Sequence, residues 1–335
     1  NITKKTFPED IDFEESLTEG LSNPFSTLVF TNQSGSIRQV MLKKHLRLSD
    51  DYNMSHSNEP MLSLSLEDES GRKLFGSLEK RKFEILNINQ NLVVYRWEKP
   101  GELRIERHYS RENNQTYVFD HKTVLTNLSN DILPWDYIKL NLGSAFRMKR
   151  LYNPFDNAAT YLNVGYYNDG MPLPEGCSCA ECSGRIDGEK EEFFQLNEVG
   201  VNGKLEPRKL SKAKWACVNN QFFVNIVRPL TEMDDVIVNG QSIQAPGVKD
   251  EESQGISGSI TFPLGILRPN QSKEIEFQIY AGPKDYSGLA SLGYEQKKVM
   301  QFGVFWWISE PLSWALNKPF NLFGSYGMAI VILTI

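Results

Sequence analysis

The strongest constraint on the fold is a rhythm. Before residue 285, apolar side chains recur with a period of two in short runs, turn residues separate the runs, and helical periodicity is almost absent. A period of two sends alternate side chains to opposite faces of a strand. Ser26 to Leu48 reads as a hairpin: Leu28 and Phe30 alternate on the outgoing arm, Asn32-Gln33-Ser34-Gly35 turns, and Ile37 to Leu42 returns. Leu62, Leu64 and Leu66 alternate with Ser63 and Ser65, and Leu92 to Trp97 runs into the turn Lys99-Pro100-Gly101-Glu102. Leu103 to Arg111 and Thr116 to Thr126 flank Asn113-Asn114-Gln115. Pairing Leu103 with Leu125 and Tyr109 with Phe119 puts like opposite like, and a one-residue slip loses that match. Regular strands resume from Ala213 to Arg228, Asn239-Gly240 marks a further turn, and Ser257 to Pro263 and Ile275 to Ala281 close the set. Ser287 to Met300 predicts a short helix. Such spacing is the signature of an all-β sandwich, and 335 residues suffice for one large or two ordinary domains.

Three segments break the rhythm. Residues 1–24 are acidic and patternless and read as an extended lead-in, and 50–60 is a polar loop. Residues 150–212 are the least regular, interrupted by Gly165, Gly170, Pro172, Pro174, Gly176, Gly184 and Gly188. Within them lie Cys177, Cys179 and Cys182. Three thiols so spaced can hold zinc if Cys217 or a histidine supplies a fourth ligand. In an oxidising compartment they instead form a disulfide, Cys179 or Cys177 with Cys182. Free thiols are the third alternative. Cys217 falls in a strand pattern and reads as a small core residue.

From Val299 to Ile335 the character changes, and only Glu310 and Lys318 carry charge. Val304, Ile308, Pro311, Leu312, Ala315 and Pro319 recur at helix-like intervals with polar residues between them. Phe305, Trp306, Trp307, Trp314, Phe320, Phe323 and Tyr326 crowd the same stretch. This suits a helix lying flat in a membrane interface, where such rings are at home. Tyr326 to Ile335 carries no charge and reads as the opening of a membrane-spanning helix, which needs roughly 20 apolar residues. The alternative is a buried C-terminal helix.

The same stretch carries a resemblance. Tyr280-Ala281-Gly282-Pro283-Lys284-Asp285-Tyr286, Phe302-Gly303-Val304-Phe305, Pro311-Leu312 and Phe323-Gly324-Ser325-Tyr326-Gly327 together resemble the YidC family of bacterial membrane-protein insertases, with Ser325 where the family usually has Asn. Lys214-Trp215 with Asn219 to Phe223, and Gly35-Ser36-Ile37 with Val40 and Leu42, are similar to segments inside the family's periplasmic domain. The resemblance implies a large twisted antiparallel β-sandwich of the galactose-mutarotase-like supersandwich kind, followed by C-terminal helices. It implies a plan of lead-in (1–24), periplasmic sandwich (25–284), connecting and interfacial helices (285–322) and the start of a transmembrane helix (323–335). A first transmembrane helix and a linker are then expected ahead of Asn1. The implied role is to assist insertion and folding of nascent inner-membrane proteins, alone or with the Sec translocon, in the bacterial inner membrane with this domain in the periplasm. The expected partners are nascent chains, Sec components and lipid. No cofactor is expected, apart from the zinc alternative for the cysteine loop.

Composition agrees with these expectations. A net charge of −6 lacks the basic face that nucleic acid requires. An enzyme acting on sugars needs an acid and a base converging on one substrate. The histidines are His45, His56, His108 and His121. In the hairpin register above, His121 and His108 point to opposite faces, so they cannot share a substrate. A carbohydrate- or peptide-binding sandwich tethered to a membrane is the competing reading, and sequence motifs for phosphate loops, zinc proteases or serine hydrolases are absent.

Overall fold

The computed structural model describes residues 14–43, 52–56, 59–112, 116–147, 161–170, 185–186, 188–198, 203–244 and 254–301, with isolated positions 315, 327, 328 and 331. The chain divides into two compact units, Asn1–Pro283 and Lys284–Ile335. Among its described residues the first unit is built of strands, with 3₁₀ turns at Leu78–Lys80 and Leu196–Glu198. Its strands are β1 (Leu17–Ser22), β2 (Ser26–Thr31), β3 (Ser36–Leu42), β4 (Tyr52–Ser55), β5 (Leu64–Glu67), β6 (Lys73–Leu74), β7 (Glu84–Ile88), β8 (Leu92–Lys99), β9 (Leu103–Ser110) and β10 (Val118–Asn127). They continue as β11 (Leu133–Phe146), β12 (Asn163–Asp169), β13 (Arg185–Ile186), β14 (Glu189–Gln195), β15 (Arg208–Asn219), β16 (Phe223–Pro229), β17 (Asp234–Gln244), β18 (Gln254–Leu267) and β19 (Ser272–Pro283).

β1 to β4 form an antiparallel sheet in chain order. The other strands form one large sheet, ordered β6-β5-β11-β18-β17-β15-β16-β19-β10-β9-β8-β7, with β12, β13 and β14 attached around β15. Among the described residues only the short β13–β15 pairing is parallel. β15 belongs to both halves: its first residues pair with β17 and its last with β16 and β12. The sheet therefore folds over on itself. Phe262 of β18 meets Phe277 of β19 at 5.9 Å between ring centroids, although three strands separate β18 from β19 along the sheet. Alternation supplies the core between the layers. Ile138, Leu140 and Leu142 on β11 and Phe277 and Ile279 on β19 have no exposed surface. Each such side chain contributes about 1.5–3 kcal/mol by area burial.

The smaller sheet is anchored through its hairpin turn. Phe30 packs edge-on against Tyr109 at 5.0 Å, Tyr109 donates from its hydroxyl to the Gly35 carbonyl at 2.6 Å, and Arg107 donates to the Ser34 carbonyl at 2.8 Å. Gly35 has φ +54°, and a Cβ there would lie 2.7 Å from Tyr95 Cβ, so the turn needs glycine for both backbone and space.

Several expectations are corrected. Residues 17–22, which composition assigns to the lead-in, form β1. The β9–β10 hairpin pairs Leu103 with Asn127, Ile105 with Leu125 and Tyr109 with His121, two residues from the expected register. An even shift keeps every side chain on its face, so alternation cannot detect it. Asn239-Gly240 is not a turn but lies inside β17, opposite Ser259 and Gly258. A Cβ at Gly240 would come 2.4 Å from Leu205 Cδ1, so this glycine admits a close neighbour. Residues 150–212 contain β12 and β14, and Gly165 sits inside β12 because Phe193 and Cys217 pack onto it. Of the expected C-terminal helices, the described residues give one short helix, α1 (Tyr286–Ser291), a 3₁₀ turn at Gln296–Met300 and single helical positions at Ala315, Gly327, Met328 and Val331. Asp285 caps α1 by accepting from the Gly288 amide at 2.8 Å. Gly293, Tyr294 and Glu295 all have positive φ and end it. Among the described residues no helix is long and apolar enough to cross a membrane.

Candidate functional site

Alternation that fills the core also makes an outer face. On β11 the residues between the core leucines are Lys139 and Asn141, and on β18 those flanking Ile260 are Ser259 and Thr261. Lys139 pairs with Thr261 and Asn141 with Ser259, while β17 brings Asn239 opposite Ser259 and Gln241 opposite Ser257. A polar floor is thereby laid across three neighbouring strands. The segment carrying Lys204 to Arg208 runs beside it, held by the Leu205 amide on the Gly240 carbonyl at 2.9 Å. With Phe194, Glu198, Glu59 and Glu67 these residues enclose a cleft of about 990 Å³.

The floor is ordered by its own hydrogen bonds. Asn141 donates to Glu59 at 2.9 Å and accepts from the Gly143 amide at 2.6 Å, and Ser257 donates to the Gly143 carbonyl at 3.1 Å. At the rim, the Arg208 guanidinium lies 4.6 Å from the Phe194 ring centre and bridges Glu192 and Glu206. Tyr166 donates to Glu192 at 2.7 Å, and burial together with that carboxylate raises its hydroxyl's pKa. The cleft thus combines a floor of amides and hydroxyls that also carries Lys139 with a rim of both charges. Such a surface suits polar, hydrogen-bonding ligands better than a large apolar one.

The candidates named from sequence are placed differently. His121 is fully buried, stacked on Tyr109 at 4.4 Å, with Nδ1 donating to the His108 carbonyl and Nε2 accepting from Arg107 and Thr123. The His108 side chain occupies the opposite, more open face, as the parity of the hairpin requires. His56 is buried on another part of the molecule, and none of these three histidines lines the cleft. His45, Cys177, Cys179 and Cys182 lie outside the described residues, as do Phe305, Trp306, Trp307, Trp314, Phe320, Phe323 and Tyr326. Cys217 is fully buried in β15, as expected of a core residue. Among the described residues no group of three His, Cys, Asp or Glu side chains is placed to hold a metal. Sequence reasoning missed the cleft. Its trace in the sequence is the persistence of Asn, Ser, Thr and Lys at alternate positions through β11, β17 and β18.

Comparison with known proteins gives consistent matches. Residues 182–315 match the model of the YidC periplasmic domain. The membrane protein insertase YidC of Neisseria gonorrhoeae (strain NCCP11945) is 26% identical over 231 residues, covering 66% of this chain and 39% of that protein. The membrane protein insertase YidC of Chlorobaculum tepidum is 24% identical over 328 residues, covering 93% and 50%. The chain therefore spans half or less of the length of these relatives. Among solved structures, a putative aldose 1-epimerase from Escherichia coli K12 is similar with a TM-score of 0.46 at 11% identity, over 80% of this chain and 99% of that one.

Proposed function

We propose that this chain, a relative of the YidC membrane-protein insertases that carries their periplasmic domain, is the extramembrane part of an insertase of the bacterial inner membrane. The family is one of insertases and not of enzymes. The observation that carries the reading is the match of residues 182–315 to the periplasmic-domain model, with similarity to a YidC running over 93% of the chain. In this reading the β-unit is a supersandwich on the periplasmic face. Residues 285–322 lie along the membrane interface through Phe305, Trp306, Trp307, Trp314 and Phe320, and residues 323–335, with Phe323 and Tyr326, begin a transmembrane helix. The whole protein assists nascent membrane proteins, alone or with Sec components. It lowers the cost of moving polar groups across lipid, several kcal/mol for each group left without a partner, and it uses no cofactor. The polar cleft receives hydrophilic segments of those clients on the periplasmic side.

Photo-crosslinking side chains placed at Gln241 in the cleft and at Trp306 test this in cells producing the full-length protein. The expected outcome is adducts with nascent inner-membrane proteins from Gln241 and with lipid from Trp306. Absence of client adducts at Gln241 together with absence of lipid adducts at Trp306 would refute the reading. The amides and hydroxyls of the cleft floor also favour a second reading, a carbohydrate- or peptide-binding module tethered to a membrane. Saturable binding of one member of an oligosaccharide panel, lost on Asn239→Leu, would decide for it.

A further inference from the structure

A second, smaller cavity lies away from the cleft, between β4 of the small sheet and β11 and β16 of the large one. It measures about 100 Å³, and Tyr52, Ser144, Asn220, Phe223 and Asn225 are among the residues that line it. Asn225 is only 1% exposed, yet among the described residues neither its amide nitrogen nor its carbonyl oxygen has a hydrogen-bond partner. Next to it is His56, 4% exposed. Its Nδ1 accepts from the Ser144 amide at 3.2 Å, so Nε2 carries the hydrogen, and Nε2 also meets no partner. Gly143 separates the two. It has φ +97°, and a Cβ there would come 2.9 Å from the His56 ring and 3.0 Å from Asn225 Nδ2. The other polar groups are already used: Asn220 accepts from the Phe222 and Phe223 amides and donates to the Phe146 carbonyl.

Buried polar groups are almost always paired, by protein or by a bound molecule. The orphaned groups in the lining are the Asn225 NH2 and its carbonyl oxygen; His56, which burial keeps neutral, stands beyond Gly143. A cation would face donors, and an anion would be buried with no cationic side chain in the lining. We propose that this cavity is a binding site for a small neutral group that both accepts and donates hydrogen bonds, with the volume of about three waters or one small amide. The occupant satisfies the Asn225 amide of the large sheet, in a cavity whose other wall is β4 of the small one.

The test uses the full chain and Asn225→Leu, close to it in size. Long-lived water cross-peaks to the Asn225 side-chain amide, absent from the variant, identify water as the occupant. Chemical-shift changes at that amide on titration with acetamide, but not with acetate, identify an amide solute. In either case the variant melts lower, by about 2–4 °C, because the occupant loses its partners. The proposal is overturned if the unaltered chain shows neither signal, or if Asn225→Leu melts higher, as removal of two unsatisfied atoms from a dry cavity requires.

Discussion

Acid should weaken this protein through a histidine that the fold keeps neutral. His121 is fully buried, and its imidazole is held well below its usual pKa, first by burial and then by the Arg107 guanidinium. Nε2 accepts from Arg107 at 3.1 Å and lies 2.9 Å from the Thr123 hydroxyl, so a proton there would face the Arg107 guanidinium, which can only donate. Arg107 itself is fully buried among neutral groups, the Ser34 carbonyl, the Ser36 hydroxyl and the His121 ring. A depressed histidine is neutral in both states above its unfolded value of ~6.5. Below that value the unfolded chain takes up a proton that the native chain refuses. Stability is therefore complete above ~6.5 and falls with pH, by about 1.4 kcal/mol per unit. Between pH 7.5 and 4.5 the loss from His121 can reach at most about 2.7 kcal/mol. Urea unfolding of the wild type and His121→Gln at both pH values measures it, since glutamine can still accept from Arg107 but does not titrate. The drop in unfolding free energy on acidification should be smaller in the variant, by up to about 2.7 kcal/mol, whatever the variant's own baseline. Equal drops in the two proteins would refute the argument that the fold excludes a proton from His121.

His56, pushed down to about 3 mainly by burial, should give a second drop of about the same size over this window; His56→Gln, measured in the same titration, should remove it. Gly35→Ala should destabilise by about 2–5 kcal/mol, combining a left-handed backbone with overpacking against Tyr95, and should be read as a lower urea midpoint at an unchanged slope. Replacing Trp306, Trp307 and Trp314 together with Ser should abolish most binding to lipid vesicles in co-sedimentation, each buried ring contributing about 1.5–3 kcal/mol, with little dependence on salt. Thiol titration and metal analysis of protein from an oxidising compartment should find bound zinc or fewer than four reactive thiols. Four reactive thiols without metal would leave Cys177, Cys179 and Cys182 unlinked.

Local pattern determined what many segments are, though not β1, β12, β14 or the Asn239-Gly240 stretch of β17. Alternation marked the Ser26 to Leu42 hairpin, the β8 to β10 meander and the β18 and β19 segments, because the strand period is written in consecutive side chains. It also placed His121 and His108 on opposite faces, since parity survives any even slip. The YidC resemblance was legible too, in turn and aromatic residues around Gly282-Pro283 and Lys214-Trp215. What pairs with what was decided only in three dimensions. Asn127 faces Leu103 because its side chain is tied to the Asp131 and Leu267 carbonyls, a constraint that no like-with-like rule contains. Gly165 and Gly240 read as breaks but lie within strands, because the neighbours that need their missing Cβ, Phe193 and Leu205, come from elsewhere in the chain. The cleft is a tertiary product for the same reason. Asn141, Ser259 and Asn239 are ordinary outward residues on three strands until β11, β18 and β17 pair in register and bring them side by side. Period and turn chemistry are properties of adjacent residues, whereas a register, a tolerated glycine and a site depend on contacts between residues that only folding brings together.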